Sequence, residues 1–241
     1  MMKYIRILCF SFLLLLIPRQ LPAQIGVTGH VESGEHNASE GMYVRAGVGA
    51  EYRLNKIAIH GDLQFDIISN VPRSFSGLKL GLSRRLEIRE FPVEIGAFFL
   101  HKPYSDLQYE NNWGLLARTD HRHFHVMLGN GFRAYRLTRQ AVQDYPEDAG
   151  SVIRENWNLI YNIGYQLKTE EDPWNAGVFL SNMDRFLMNQ ETNPMLYLRG
   201  SARIVPDLRL FAEACYKQAG VFNISANYFG FFFRTGLRWE L

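Results

Sequence analysis

The sequence predicts an all-β fold, a single up-and-down antiparallel β-barrel of about twelve strands. Apolar and polar residues alternate with period two along most of the chain, which is typical of strands that have one apolar and one polar face. The connections between these stretches alternate between short and long. Many stretches run to 9–14 residues, whereas strands in globular proteins usually have about 5 to 6 and a bilayer-crossing strand needs roughly 9 to 11.

The alternation defines each strand in turn. In MYVRAGVGAEYRL, residues 42–54, the even positions from Val44 to Leu54 are apolar and the odd positions carry arginine, glycine or glutamate. In IAIHGDLQFDII, residues 57–68, isoleucine, leucine and phenylalanine alternate with histidine, aspartate and glutamine. The same count predicts strands near residues 24–33, 42–54, 57–68, 75–88, 92–104, 112–120, 123–137, 156–168, 173–183, 194–205, 208–218 and 227–241.

The lengths of the connections predict the topology. The short connections are Asn55-Lys56, Arg89-Glu90, His121-Arg122, residues 170–172 and residues 205–207. The long ones are ESGEHNASEG, SNVPRSFSG, HKPYSDLQYENN, TRQAVQDYPEDAGSVIRE, DRFLMNQETN and QAGVFNISA. Every odd-numbered strand leads into a long connection and every even-numbered strand into a short one. In an up-and-down barrel the short turns and both termini therefore lie at one end, and the long loops, including an exposed MDRFLMN, lie at the other.

The N-terminus has the pattern of a secretory signal peptide. Lys3 and Arg6 precede an apolar run from Ile7 to Ile17, which is followed by two prolines and the small Ala23. The run is too short for a membrane helix, which disfavours a retained N-terminal anchor. We expect residues 1–23 to be removed and residues 24–241 to form one barrel domain. Such a mature chain contains Cys215 as its only cysteine, so it has no intrachain disulfide.

The charge of the mature chain gives no sign of a nucleic-acid partner. Three of the 26 basic residues lie in the first 23 residues, which contain no acidic residue, so the remainder has 23 basic and 24 acidic residues. A nucleic-acid-binding surface requires a basic excess that this chain does not have.

The last strand, FFFRTGLRWEL, resembles the terminal strand of Gram-negative outer-membrane β-barrels. Phe231, Phe233, Leu237 and Trp239 alternate with mainly polar or small residues, although Leu241 stands where that family usually ends on an aromatic residue. The resemblance implies a cell outer membrane location, periplasmic termini and recognition by the barrel-assembly machinery. It also implies contact with outer-membrane lipid and lipopolysaccharide.

A soluble secreted β-sandwich is the alternative fold, because it shows the same alternation with its apolar face turned inward. Alternation alone does not say which face is outside. The signal peptide, the long strands, the asymmetric connections and the terminal strand favour the membrane barrel. Aromatic residues predicted at strand ends, among them Tyr52, Trp113 and Trp174, agree with the aromatic girdles of such barrels.

The tight turns allow the strand register, and hence the pairs on the polar face, to be computed. Pairing Leu54 with Ile57 places Arg45 opposite Asp66 and Glu51 opposite His60. The other short turns place Arg85 opposite Glu94, Asp120 opposite His123, and Arg199 opposite Glu213. They also place Arg203 opposite Arg209, which requires a bulge or a third partner. The predicted lumen charges are Arg45, Glu51, His60, Asp62, Asp66, Lys79, Arg85, Glu94, Arg118, Arg133, Arg199, Glu213, Arg234 and Arg238.

Three functional classes remain open. The first is a narrow channel for small polar solutes. The charges of its mainly basic lumen either favour anions or pair with one another. The second is a non-conducting barrel that acts through its surface loops as a receptor, adhesin or envelope or secretion-complex subunit. The third, less favoured, is a lipid-active enzyme. In HRHFH (residues 121–125) the histidines are expected every second residue on one strand face, but the further ligands that complete a zinc site are lacking. We therefore predict no cofactor, no metal site and no catalytic residue.

Overall fold

The computed structural model describes residues 23–36, 41–68, 74–88, 91–103, 107–148, 150, 152–169, 171–217 and 230–241. The strands are β1 (Ala23–His36), β2 (Gly41–Leu54), β3 (Ile57–Ile68), β4 (Phe75–Ile88), β5 (Phe91–Pro103), β6 (Gln108–His121), β7 (Phe124–Leu137), β8 (Val152–Gln166), β9 (Trp174–Ser181), β10 (Met195–Val205), β11 (Leu208–Lys217) and β12 (Phe231–Glu240). A short helix, α1 (Arg139–Asp144), and a 3-10 turn (Pro146–Asp148) lie between β7 and β8. The predicted signal peptide falls almost entirely outside the described residues and stays a prediction.

The strands form one closed antiparallel barrel in chain order. Each strand pairs with its neighbours in sequence, and β12 closes the barrel against β1, from Gly26 opposite Glu240 to Gly34 opposite Phe232. Leu241 and Ile25 exchange backbone hydrogen bonds beside the tight turns. We call this the turn end and the opposite end the loop end. The predicted up-and-down barrel is therefore confirmed, whereas the assignment of the turn end to the periplasm stays a prediction.

The apolar face of the strands points outward. Phe231, Phe233, Leu237 and Trp239 in β12 are 44–54% exposed, whereas Arg234 between them is 1% exposed. The strands with the clearest alternation show the same arrangement. In a soluble sandwich the apolar side chains would be buried and the charged ones exposed, so the structure excludes that alternative. No helix among the described residues is long and apolar enough to span a membrane.

Most of the predicted register is confirmed. Arg45 lies opposite Asp66, Glu51 opposite His60, Arg85 opposite Glu94 and Arg199 opposite Glu213. Asn55, at φ 53°, turns the chain between β2 and β3. This is a left-handed conformation that asparagine adopts more readily than most residues.

Three details of the prediction were wrong. The turn after β6 is Arg122-His123, so Asp120 pairs with His125 rather than with His123. Because this shift changes the register by two residues, each side chain stays on its predicted face. The chain reverses within HRHFH, so its histidines do not follow one strand face. Trp113 lies well inside β6, since that strand begins at Gln108.

Candidate functional site: the barrel lumen

A long connection folds into the lumen instead of extending from the barrel. Residues 182–194, which we call the inserted segment, follow β9 and precede β10. Asn182, Met188 and Asn189 are each 0% exposed, and Leu187 is 3% exposed. The Asp184 amide donates to the Leu187 carbonyl, and the Asn189 amide donates to the Asn182 carbonyl, both at 2.7 Å. The prediction that MDRFLMN is an exposed loop was therefore wrong.

The segment begins where the pairing between β8 and β9 ends. β9 pairs with β8 only from Gly177–Ser181 to residues 162–166, although β8 begins at Val152. The Asn182 side chain occupies part of the missing strand's place, since it accepts from the Tyr161 amide at 2.8 Å and donates to the Leu159 carbonyl at 2.7 Å. Unpaired backbone groups are costly away from water, so these bonds explain why the segment lies against β8.

Arg234 of β12 attaches the segment to the barrel wall. Its guanidinium contacts Asp184 of the segment at 2.6 Å, Glu213 of β11 at 2.7 Å and Glu32 of β1 at 2.5 Å. Both Arg234 and Glu32 are almost completely buried. A buried arginine requires charged partners, because removing its charge from water is expensive. Asp184 supplies one partner from the segment itself.

Arg133 of β7 forms a second attachment. It is 2% exposed, and it donates to the Met188 carbonyl of the segment and to the Asn112 side chain. It also lies 3.0 Å from Glu155 and 3.4 Å from Glu110. The same guanidinium thereby joins the segment to three neighbouring strands.

Apolar contacts inside the lumen accompany these polar attachments. Leu187 packs in a buried cluster with Tyr43, Phe179, Tyr197 and Phe232, among others. On the other side of the segment, Met183 and Met188 pack with Phe98, Leu100 and Ile160. The segment therefore has a small hydrophobic core of its own within a mainly polar interior.

On the turn-end side of the segment the lumen contains a cavity of about 370 Å³. Arg185 of the segment and inward side chains of most of the strands line it. Towards the turn end the side chains become more hydrated, with Arg118 and Arg238 45% and 37% exposed. Of the predicted lumen charges, nine line this cavity, namely Glu51, His60, Asp62, Lys79, Glu94, Arg118, Arg199, Glu213 and Arg238.

The other predicted lumen charges lie outside the cavity. Arg45 pairs with Asp66 at 2.7 Å in the loop-end half, where Glu32 is 3.7 Å from it. Arg133 and Arg234 belong to the two attachments described above. Arg85 is exposed near the turn end, and Glu94 opposite it pairs instead with Arg118 of β6 at 2.8 Å.

The predicted conflict between Arg203 and Arg209 is real and is resolved in two ways. They lie opposite each other beside a register shift between Arg203 and Val205. Arg203 donates to the Glu171 carbonyl, whereas Arg209 donates to the Asp172 carbonyl and to the Ser201 hydroxyl. Backbone carbonyls of the β8–β9 turn thus take the place of carboxylates.

Sequence reasoning missed Glu32, Glu110, Glu155, Asp184 and Arg185. Glu110 and Glu155 were assigned to long connections outside the predicted strands, and Glu32 lies where its strand meets a long connection, so no partner could be computed for any of the three. Asp184 and Arg185 lie in the segment that was assigned to the outside. Among the described residues, no group of three or more histidine, cysteine, aspartate or glutamate side chains is placed to hold a metal ion.

Comparisons with known proteins agree on the fold. No family model and no curated protein matches the chain. The NanC porin is similar over 90% of this chain and 100% of its own, with a TM-score of 0.51 and 13% identity. The KdgM porin is similar over 89% and 98%, with a TM-score of 0.50 and 12% identity. Outer membrane phospholipase A from Escherichia coli is similar over 93% of both chains, with a TM-score of 0.49 and 12% identity.

At these identities the likeness to the two porins establishes the architecture and no shared activity. The closed antiparallel barrel has an apolar outer surface and a charged interior, as a barrel surrounded by lipid requires. The chain therefore has the same closed β-barrel fold as the NanC and KdgM porins.

Proposed function

We propose that the protein is a narrow outer-membrane channel for small polar solutes, with the inserted segment as its constriction. The charged cavity of about 370 Å³ supports this proposal most directly. A barrel that serves only as a scaffold needs no such space, because side chains can fill the interior of a small barrel. Here the charges face a cavity instead.

The charges around the cavity are suited to act on a passing ion. Fixed charges in a lumen surrounded by protein and lipid are weakly screened, so they act strongly on ions that enter. The two solved structures with similar folds, NanC and KdgM, are both described as porins. Their names support a channel here without indicating its solute.

A non-conducting barrel is the second candidate, and the buried attachments of the segment favour it. Arg234 and Arg133 hold the segment to the barrel wall through buried contacts. The acidic residues around Glu147 and Asp148 are exposed at the loop end, where a partner could bind. In this candidate the segment is a permanent plug and the loops carry the function.

Catalysis is not part of the proposal. Within the part of the chain that the structure describes, no histidine ring is hydrogen-bonded to a serine or threonine hydroxyl or to a cysteine thiol. His125 pairs with Asp120 at 2.7 Å, and His101 contacts Asn111 at 2.8 Å. Neither pair presents an activated nucleophile.

Conductance in planar bilayers tests the proposal. The informative variant replaces residues 182–194 with Gly-Ser-Gly-Ser, a loop that joins Ser181 to Met195, which lie directly opposite each other. We expect small conductance steps from the refolded wild type and several-fold larger steps from the variant. A matched control shortens the exposed β7–β8 connection at residues 146–148, and it should conduct like the wild type.

The two candidates give different results. A wild type with no conductance in bilayers and no solute flux in liposomes contradicts the channel, and a conducting variant would then show that the segment is a plug. Heat-modifiable migration in a detergent gel verifies that each protein is folded.

A further inference from the structure

Two cationic side chains that line the turn-end cavity, Lys79 and Arg185, have no ion-pair or hydrogen-bond partner among the residues that the structure describes. Among the described residues, no carboxylate oxygen lies within 4.0 Å of the Lys79 ammonium group or of the Arg185 guanidinium. Their neighbours differ, since Arg118 pairs with Glu94 at 2.8 Å and Arg199 with Glu213 at 3.3 Å. The unpaired positive charge is therefore concentrated at Lys79 and Arg185.

Both side chains belong to the cavity wall. Lys79 projects from β4 opposite Asp62 of β3, and Arg185 enters from the inserted segment. The Arg185 guanidinium carbon lies 5.1 Å from the centre of the Phe211 ring, which is a cation–π distance. This contact holds the guanidinium at the wall and leaves its N–H groups available to a ligand.

The whole lining has a surplus of positive charge. Six lysine or arginine side chains and four carboxylates line the cavity. A surplus of two suits an anion of low charge, whereas the four carboxylates disfavour a highly charged phosphate. Phe179 and Phe211 add an apolar surface to the same wall.

We propose that this cavity is a binding site for a small organic carboxylate, held between Lys79 and Arg185. The planar guanidinium can donate two parallel hydrogen bonds to a carboxylate, and the lysine adds a compact positive charge. The aromatic residues contact the carbon skeleton of the ligand. The volume is at the small end of the range for ligand pockets, about 300 to 1,000 Å³. As a statement about the transported solute, this inference rests on the proposed channel function.

Calorimetric titration of the refolded full barrel in detergent micelles tests the site without requiring conduction. Benzoate is the probe, and neutral benzamide, which has nearly the same shape, is the control ligand. We expect saturable binding of benzoate, weakened by added NaCl, and no measurable binding of benzamide. Equal heats from the two ligands, or no benzoate binding at millimolar concentrations, would overturn the proposal.

Two variants locate the binding. Lys79→Ala and Arg185→Ala should each weaken benzoate binding about tenfold or more, because each removes one charge partner. Lys56→Ala removes an exposed charge at a turn, where Lys56 lies 3.5 Å from Glu87, and should leave binding unchanged. Wild-type affinity in the folded double variant of Lys79 and Arg185 would refute the assignment.

A barrel that binds benzoate without conducting contradicts the channel alone, whereas one that conducts without binding contradicts this site alone.

Discussion

The two halves of the lumen are formed by the same strands, yet their contents differ. At the loop end, Arg133, Glu110 and Asn112 are each 1–2% exposed and are bonded to one another or to the inserted segment. At the turn end, the inward charges surround a cavity, and the Arg118 side chain is 45% exposed. Period-two alternation places polar residues inward in both halves. The alternation therefore shows which residues share a face, but not whether the interior that they line is filled.

The inserted segment accounts for the difference. A charge that a folded segment removes from water requires a partner, whereas a hydrated charge does not. Arg234 and Arg133, which contact the segment, accordingly have several partners each. Lys79 and Arg185, which face the cavity, have none at ion-pair distance among the described residues. Removing a charge should therefore affect stability most where it holds the segment, and ion preference most where it faces the cavity.

Arg234→Ala should have the largest effect on stability. It leaves the carboxylates of Glu32, Asp184 and Glu213 without their shared cation in a buried site. Loss of one member of a buried ion pair typically costs about 3 to 5 kcal/mol. Urea unfolding in detergent, followed by tryptophan fluorescence, measures the free energy of unfolding.

The control lies on the same strand. Arg238→Ala removes an arginine whose side chain is 37% exposed and whose partner Glu240 is 66% exposed. Its loss should cost less than about 1 kcal/mol. Equal unfolding free energies for the two variants would mean that the Arg234 network does not stabilise the barrel.

Asp184→Asn should have an intermediate effect, chiefly on the segment. The substitution keeps the shape of the side chain but removes its charge, while Glu32 and Glu213 still neutralise Arg234. A hydrogen bond to a charged group contributes about 1.5 to 3 kcal/mol. The segment should therefore leave the lumen more often, and single-channel recordings should show more frequent large openings.

Glu191→Gln is the matched control in the same segment. Glu191 is exposed and its side chain accepts a hydrogen bond from the Leu159 amide at 3.2 Å, which a glutamine carbonyl can also accept. We expect wild-type conductance from it. If Asp184→Asn conducts like this control, the Asp184–Arg234 pair does not hold the constriction.

The sequence predicted the wall of this barrel better than its contents. A tight turn fixes the pairing of two strands, so Arg45 opposite Asp66 followed directly from Asn55-Lys56. β1 is joined to β2 by a long connection, so the place of Glu32 opposite Arg45 had no comparable constraint. The register of β1 could therefore not be computed.

The inserted segment was missed for a different reason. Its polar residues suggested a hydrated loop, but Phe186, Leu187 and Met188 form an apolar run that is now 0–4% exposed. Three large apolar residues in a loop assigned to water were the one available signal of burial. Asp184 and Arg185 could not be recognised, because Arg234, which pairs with Asp184, and Phe211, which contacts Arg185, lie on strands distant from the segment in sequence.

The pair of Arg45 and Asp66 should act mainly on ion preference, and its loss should cost less stability than the loss of Arg234, because its side chains, 14% and 9% exposed, are less deeply buried. Arg45 lies 2.7 Å from Asp66 and 3.7 Å from Glu32. Arg45→Ala leaves both carboxylates without this cation and should shift the reversal potential in a salt gradient towards cation selectivity. Asp66→Ala should shift it towards anion selectivity, but by less, because Glu32 still offsets part of the Arg45 charge.

These shifts are best measured in the barrel whose segment is replaced by Gly-Ser-Gly-Ser, since its conductance does not depend on the constriction. Arg53→Ala is the control, because Arg53 pairs with Glu51 at 2.8 Å in a more hydrated position, with side chains 35% and 31% exposed. Water and salt screen that pair more strongly, so its loss should change selectivity least. If all three folded variants keep the selectivity of their parent barrel, the charges at the loop end do not act on permeating ions. The loop-end half would then serve only to hold the segment, and the turn-end cavity alone would contribute ion preference.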